Sequence, residues 1–102
     1  MEGIELISFQ IISSVGTARS CYIEAIQLAK ENNTKEAYNK LKEGETYFNE
    51  GHHAHSQLIQ QEAAGGRIEF SIILMHAEDQ LMSAEAFRII AEEFIEVYKK
   101  MK

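Results

Sequence analysis

The chain has 102 residues, 10 of them basic and 16 acidic, for a net charge of −6. That length specifies one domain over residues 1–102, and the acidic balance disfavours nucleic acid or an anionic lipid surface as a general partner. The single cysteine, Cys21, excludes an internal disulfide and fits a reducing, cytoplasmic setting, and no apolar run approaches the roughly 20 residues that span a bilayer. The opening MEGIELISFQ lacks a basic region followed by an apolar one, so no signal peptide is expected. Proline is absent and glycine numbers 6, so little interrupts helix formation. The expectation is an all-α fold.

Helix 1 is expected over about Ile4 to Glu31. Its apolar row is Ile4, Ile7, Ile11, Val15, Ala18, Tyr22, Ile26 and Ala29, at helical spacing, with Ile12 and Ile23 widening it. Gly16 costs about 1 kcal/mol against Ala inside a helix, which suggests a close backbone approach or a slight bend there. Cys21 reads as a small packing residue. Asn32 and Asn33 break the pattern, and Asn33 with Glu36 has the spacing of a capping box. Helix 2 follows over about Thr34 to Ala64, on the row Ala37, Leu41, Gly44, Phe48, Gly51, His55, Leu58 and Glu62. On that row Gly44 and Gly51 face inward and allow close packing. Gly65 and Gly66 end the helix, and Arg67–Phe70 form a short connection.

Helix 3 is expected over about Ser71 to Met101, with Lys99, Lys100 and Lys102 complementing its dipole. Two rows run along it: Ile72, Met75, Asp79, Met82, Ala86, Ile89, and Ile73, His76, Gln80, Ser83, Phe87, Ile90, Phe94. Each is apolar at both ends and polar in the middle. Short connections make the three long helices antiparallel, an up-down-up bundle. At 1.5 Å per residue each helix is about 40–45 Å long, thin for a lone domain of this size. Helix 3 is apolar over more than its two partners can cover, which implies self-association with helix 3 innermost.

His76 and Asp79 interrupt those apolar rows one turn apart. A neutral imidazole can attack a phosphoryl group and carry it; the plainer reading of His76 is a partly buried, hydrogen-bonded histidine. No Lys or Arg lies three or four residues from Asp79, which excludes a local ion pair. Copies of Asp79 gathered about an axis would suit a hard divalent cation. His52 and His55 share a helix face and form a rival transition-metal pair, but two ligands fall short of a structural zinc set. Glu50-x-x-His53 is a lone di-iron-type motif where such bundles need two. A phosphate loop, a nucleophile elbow and H-E-x-x-H are all absent, and Met75, Met82, Phe87 and Phe94 read as packing residues.

Several stretches together resemble one family: Gly16-Thr17-Ala18-Arg19-Ser20, Asn49-Glu50-Gly51-His52, Leu58-Ile59-Gln60-Gln61-Glu62-Ala63, and above all Leu74-Met75-His76-Ala77-Glu78-Asp79-Gln80-Leu81-Met82. The chain is similar, over nearly its whole length, to the IIA component of the lactose/cellobiose (diacetylchitobiose) class of the bacterial sugar phosphotransferase system. The resemblance implies a homotrimer of three-helix subunits and a cytoplasmic phosphocarrier. The histidine at His76 would accept a phosphoryl group from the phosphocarrier HPr and pass it to a cysteine of a IIB component, which serves the membrane component IIC. The sugar would be a β-linked disaccharide such as cellobiose, chitobiose or lactose. Asp79 would bind a divalent metal, Mg²⁺, at the trimer axis. Gln80, His52 and Ser56 are candidates to stabilise the phosphoryl oxygens. The sequence departs from the family where Gln80 stands for a frequent His, and His55-Ser56 for Gln-Thr. The alternative is a non-catalytic oligomeric helical interaction or regulatory module.

Overall fold

The computed structural model describes residues 3–101. Three helices follow one another: α1 (Gly3–Lys30), α2 (Thr34–Ala63) and α3 (Ile72–Lys100), with no strand among the described residues. Each lies within one residue of the span its periodicity predicts. They form an antiparallel rod measuring 53 × 23 × 19 Å. Lys99 and Lys100 occupy the last turn of α3, and Lys102 lies outside the described residues.

The helix ends are made by two matching turns. Asn32 takes a left-handed conformation (φ 65°), with Asn33 N–H donating to the Leu28 carbonyl at 2.9 Å and Asn32 N–H to that of Ala29 at 3.1 Å. Gly65 (φ 94°) does the same for α2, with Gly66 N–H on Gln61 O and Gly65 N–H on Glu62 O. Both are six-to-one Schellman closures, the second using the residue that pays least for positive φ. The first explains why the expected capping box fails. Asn33 is held at φ −91°, ψ 64° by the preceding turn, and its side chain makes no cap bond. The side-chain cap is instead at α3: Ser71 is extended (φ −149°, ψ 155°) and its Oγ accepts from Leu74 N–H at 3.2 Å.

Helix α1 is the spine on which α2 and α3 both pack. Its buried residues Ser8, Ile11, Val15, Ala18, Tyr22, Ala25 and Ala29 recur at alternating three- and four-residue steps. The matching rows are Ala37, Leu41, Gly44, Phe48, Gly51, Leu58 on α2 and Leu74, Ala77, Leu81, Ala84, Ala91, Ile95 on α3. Large and small residues alternate, the spacing of helices seated knob into hole. Gly44 and Gly51 are the closest approaches, as their inward placement implies: a Cβ at Gly44 would stand 2.5 Å from the Tyr22 ring, and one at Gly51 would stand 2.6 Å from Val15 Cγ1.

Three expectations are corrected. A Cβ at Gly16 would meet nothing within 4 Å, so no chain segment approaches there. Glu62 is exposed, and the inward row of α2 ends at Leu58. On α3, the packed row is neither of the two expected; Ile72, Met75, Met82, Ile89, Ile90 and Phe94 all face outward.

Tyr22 is fully buried and its hydroxyl has no hydrogen-bond partner. Burial pushes the phenol up to about 12. An unsatisfied buried hydroxyl costs about 1–3 kcal/mol. Tyr22→Phe is therefore expected to raise unfolding free energy by about 1 kcal/mol in urea titrations at neutral pH. The unfolded chain releases this proton from about pH 10, whereas the folded one holds it to about 12. The tyrosine's contribution to stability is thus complete below pH 10 and lost as pH rises to 12, so the gain from Tyr22→Phe should widen across that window.

Candidate functional site

The Ser71 cap starts α3 at Ile72, which sets His76 in the second turn of the helix. His76 and Asp79 are both exposed, and with Ile72 and Met75 they line one open depression. Asp79 lies along the middle of the outward apolar stripe that runs from Ile72 (78 % exposed) through Met82 (70 %) to Val97 (50 %). None of the ion pairs among the described residues involves Asp79. A bare carboxylate in an apolar stripe, clear of any cation in its own chain, has the chemistry of a hard-cation ligand. At its level of the stripe Asp79 supplies one oxygen donor group; Glu93, which lines the stripe with Ile89, Ile90, Phe94 and Val97, lies about four turns further along. Among the described residues no cluster of three or more His, Cys, Asp or Glu is placed to hold a metal.

The contacts of α3 with α2 fix which flank His76 occupies. His55 Nε2 lies 2.7 Å from Glu78 Oε2, and the Tyr38 hydroxyl donates to Glu96. Glu78 and Glu96 are about five full turns apart, on one line of α3, and that line faces α2. His76 precedes Glu78 by two residues, roughly 160° round the helix. It therefore stands on the flank turned away from α2 of its own chain. Gln80, one turn on, shares that flank and is half-buried.

His52 and Ser56 are on α2 and so are not brought to His76 within a single chain. The His52 ring stacks on Phe48 at 6.1 Å between centroids, and Ser56 Oγ donates to the His52 carbonyl at 3.0 Å. His55, at a core-register position, meets Glu78 rather than joining His52 as a metal pair. This interhelix contact escaped the sequence reading because its partners are 23 residues apart. Cys21 is buried, and burial together with the Glu43 carboxylate raises its thiol, which keeps it a packing residue. Among the described residues no helix is long and apolar enough to cross a membrane.

The family of PTS lactose/cellobiose-specific IIA subunits matches residues 6–99. The lichenan-specific phosphotransferase enzyme IIA component of Bacillus subtilis is 40% identical over 98% of this chain and 91% of that protein. The crystal structure of the PTS cellobiose-specific enzyme IIA from Bacillus anthracis superposes with a TM-score of 0.96 at 42% identity, covering 99% of this chain and 93% of that one. The solution structure of the IIA(Chitobiose)–HPr complex of the Escherichia coli phosphotransferase system gives 0.84 at 29% identity, over 99% and 98% of the chains. The chain belongs to the lactose/cellobiose-specific IIA subunits of the sugar phosphotransferase system, and is a phosphotransferase component of that system.

Proposed function

We propose that this subunit carries a phosphoryl group on His76, taking it from phospho-HPr and handing it to a IIB component during uptake of a β-linked disaccharide through IIC. The observation that carries this reading is an exposed histidine on the outward stripe of α3, beside Asp79. A nitrogen lone pair of His76 attacks phosphorus. The new N–P bond forms as the N–P bond of phospho-HPr breaks, and the HPr imidazole recovers its electron pair. A cysteine thiolate of IIB then attacks the same phosphorus, and His76 leaves. Such transfer needs in-line approach and stabilised oxygens more than added covalent chemistry. Relatives named for lichenan and cellobiose, and a neighbour bound to HPr, support the substrate class and the donor. The test is incubation with phosphoenolpyruvate, enzyme I and HPr. One acid-labile, base-stable phosphoryl group per chain supports the reading. Its absence from the folded protein favours a non-catalytic helical interaction or regulatory module.

The unit that works is a homotrimer about the Asp79 line. In any cyclic assembly, one flank of each α3 meets the opposite flank of the next. The His76 flank of one subunit then faces the α2 side of its neighbour. Gln80 would stabilise phosphoryl oxygens from the same chain, and His52 and Ser56 from the adjacent one. Three Asp79 carboxylates would hold Mg²⁺, whose charge offsets their mutual repulsion. Asp79→Leu is expected to leave the trimer intact or tighter, because buried like charges are replaced by packing. Light scattering at three subunit masses checks this. Dissociation would show that metal contacts outweigh that repulsion.

A further inference from the structure

The outward stripe of α3 carries a second carboxylate in register with the first. Ile72, Asp79, Ala86 and Glu93 follow one another at seven-residue steps, and Met75, Met82 and Ile89 stand three residues after the first three. That spacing is the seam of a helix packed along copies of itself. Glu93 stands on it about 21 Å beyond Asp79. Its surroundings are apolar: with Ile89, Ile90, Phe94 and Val97 it lines an open hollow of about 210 Å³, and all four are exposed in the single chain.

No cation of its own chain offsets Glu93. Positions 89, 90, 96 and 97, one turn away on either side, are Ile, Ile, Glu and Val. None of the ion pairs among the described residues involves it. The other charges at this level of α3 are turned towards α2. Arg88 pairs with Glu45, Glu96 accepts from the Tyr38 hydroxyl, Lys99 lies over the Tyr38 ring, and Glu92 helps to hold the proton of that phenol. On the helices behind α3, Lys40 is held between Glu24 and Glu43, while Lys30, Lys35 and Lys42 are exposed to solvent. Lys100 lies one further seven-residue step along the seam, about 10 Å from Glu93.

We propose that Glu93 makes assembly of the trimer proton-linked: three Glu93 carboxylates meet on the axis and take up protons as the subunits associate, so that the trimer tightens as pH falls. The inference rests on the homotrimer reading and adds its regulation. Like charges gathered in apolar surroundings favour the protonated form. The assembled state then holds more protons than the separate chains, and each proton gained strengthens association about tenfold per pH unit of acidification. The effect ends near about pH 4.3, where an ordinary exposed glutamate takes up its own proton. Because the adjacent subunit completes the His76 site, the same linkage sets how much working carrier is present at a given pH.

Sedimentation equilibrium of Glu93→Gln beside the wild type, at about pH 7.5 and about pH 5.5 with constant Mg²⁺, tests it. Glu93 is exposed in the single chain and glutamine is a good helix former, so the variant is expected to fold. The four histidines titrate in both proteins, so the difference between them reports Glu93. The wild-type association constant should rise about tenfold per pH unit beyond any change in the variant, and Glu93→Gln should associate at least about tenfold more tightly than the wild type at the higher pH. For a trimer too tight to dissociate, the carboxyl carbon resonances decide: Glu93 should protonate at higher pH than the exposed Glu85 of the same helix. Equal pH dependence in the two proteins, or Glu93 protonating together with Glu85, overturns the proposal. So does a wild-type trimer that weakens on acidification, which would set Lys100 of the next subunit or a metal ion against the carboxylates. A mass of one subunit at both pH values would sink the trimer reading itself, and a trimer indifferent to Glu93 would sink this inference alone.

Discussion

A His76→Ala protein is expected to fold and assemble as the wild type does and to take up no phosphoryl group. The first half follows from position. His76 is exposed on α3, the packed row of that helix runs through Leu74, Ala77 and Leu81, and no hydrogen bond or ion pair among the described residues involves His76. Alanine is also the best helix former. The second half follows from the shortage of substitutes. The other histidines, His52, His53 and His55, stand on α2, where the His52 ring stacks on Phe48 and His55 is engaged by Glu78, and Cys21 is buried with its thiol held protonated. Loss of the nucleophile should lower the rate of uptake by at least about 10³-fold. His52→Ala, by contrast, removes at most a stabilising contact and should slow transfer about 10–100-fold. Mass spectrometry of the intact chain, with circular dichroism on the same samples, reads both. A phosphoryl group surviving on the His76→Ala chain would move the acceptor to another residue.

The sequence made the helices and the two polar intrusions legible because both are local signals. Apolar spacing marks α1 and α2, and a histidine and an aspartate stand out where a stripe should be apolar. The packed face of α3 was not legible by the same means. Its row alternates Leu74 and Leu81 with Ala77, Ala84 and Ala91, whereas the outward face carries Ile72, Met75, Met82 and Ile89. Ranked by apolarity alone, the outward rows look more like a core. Side-chain size tells the two apart: small residues at every second step let α3 lie close on α1, and bulky ones are left for a surface that no helix of the same chain covers. The same limit applied to the site. His76 and Asp79 are one helical turn apart in sequence, but the relation of His52 and Ser56 to them depends on which flank of α3 meets α2, and the Glu78 and Glu96 contacts that settle it are long-range pairs. At the first connection, Asn33 and Glu36 had the right spacing for a capping box, and the turn set by Asn32 took precedence.

Gly44→Leu is expected to abolish stable folding, and the comparison with two alanine variants shows why. A Cβ at position 44 meets Tyr22 Cε1 at 2.5 Å, Cδ1 at 2.8 Å and Cys21 Cβ at 3.1 Å. The Tyr22 ring is fully buried between helices, so it has no solvent-facing rotamer into which it can retreat. Relief requires α2 to move off α1, which also pulls Gly51 away from Val15 and opens the interior next to Phe48. Gly44→Ala regains about 1 kcal/mol of helix propensity and incurs about 1–3 kcal/mol of overpacking. Its expected net effect is a loss of about 1–2 kcal/mol. Leucine adds three further carbons where even the first has no room, a penalty comparable with the whole 5–15 kcal/mol of a typical domain. Gly16→Ala makes the same chemical change where a Cβ meets nothing within 4 Å, and should gain up to about 1 kcal/mol. Urea midpoints for the two alanine variants should therefore move in opposite directions. A loss at both sites would mean that position 16 is covered in the assembled protein. A gain at both would mean that α1 and α2 separate at negligible cost, and that the close approach at Gly44 does not hold the bundle together.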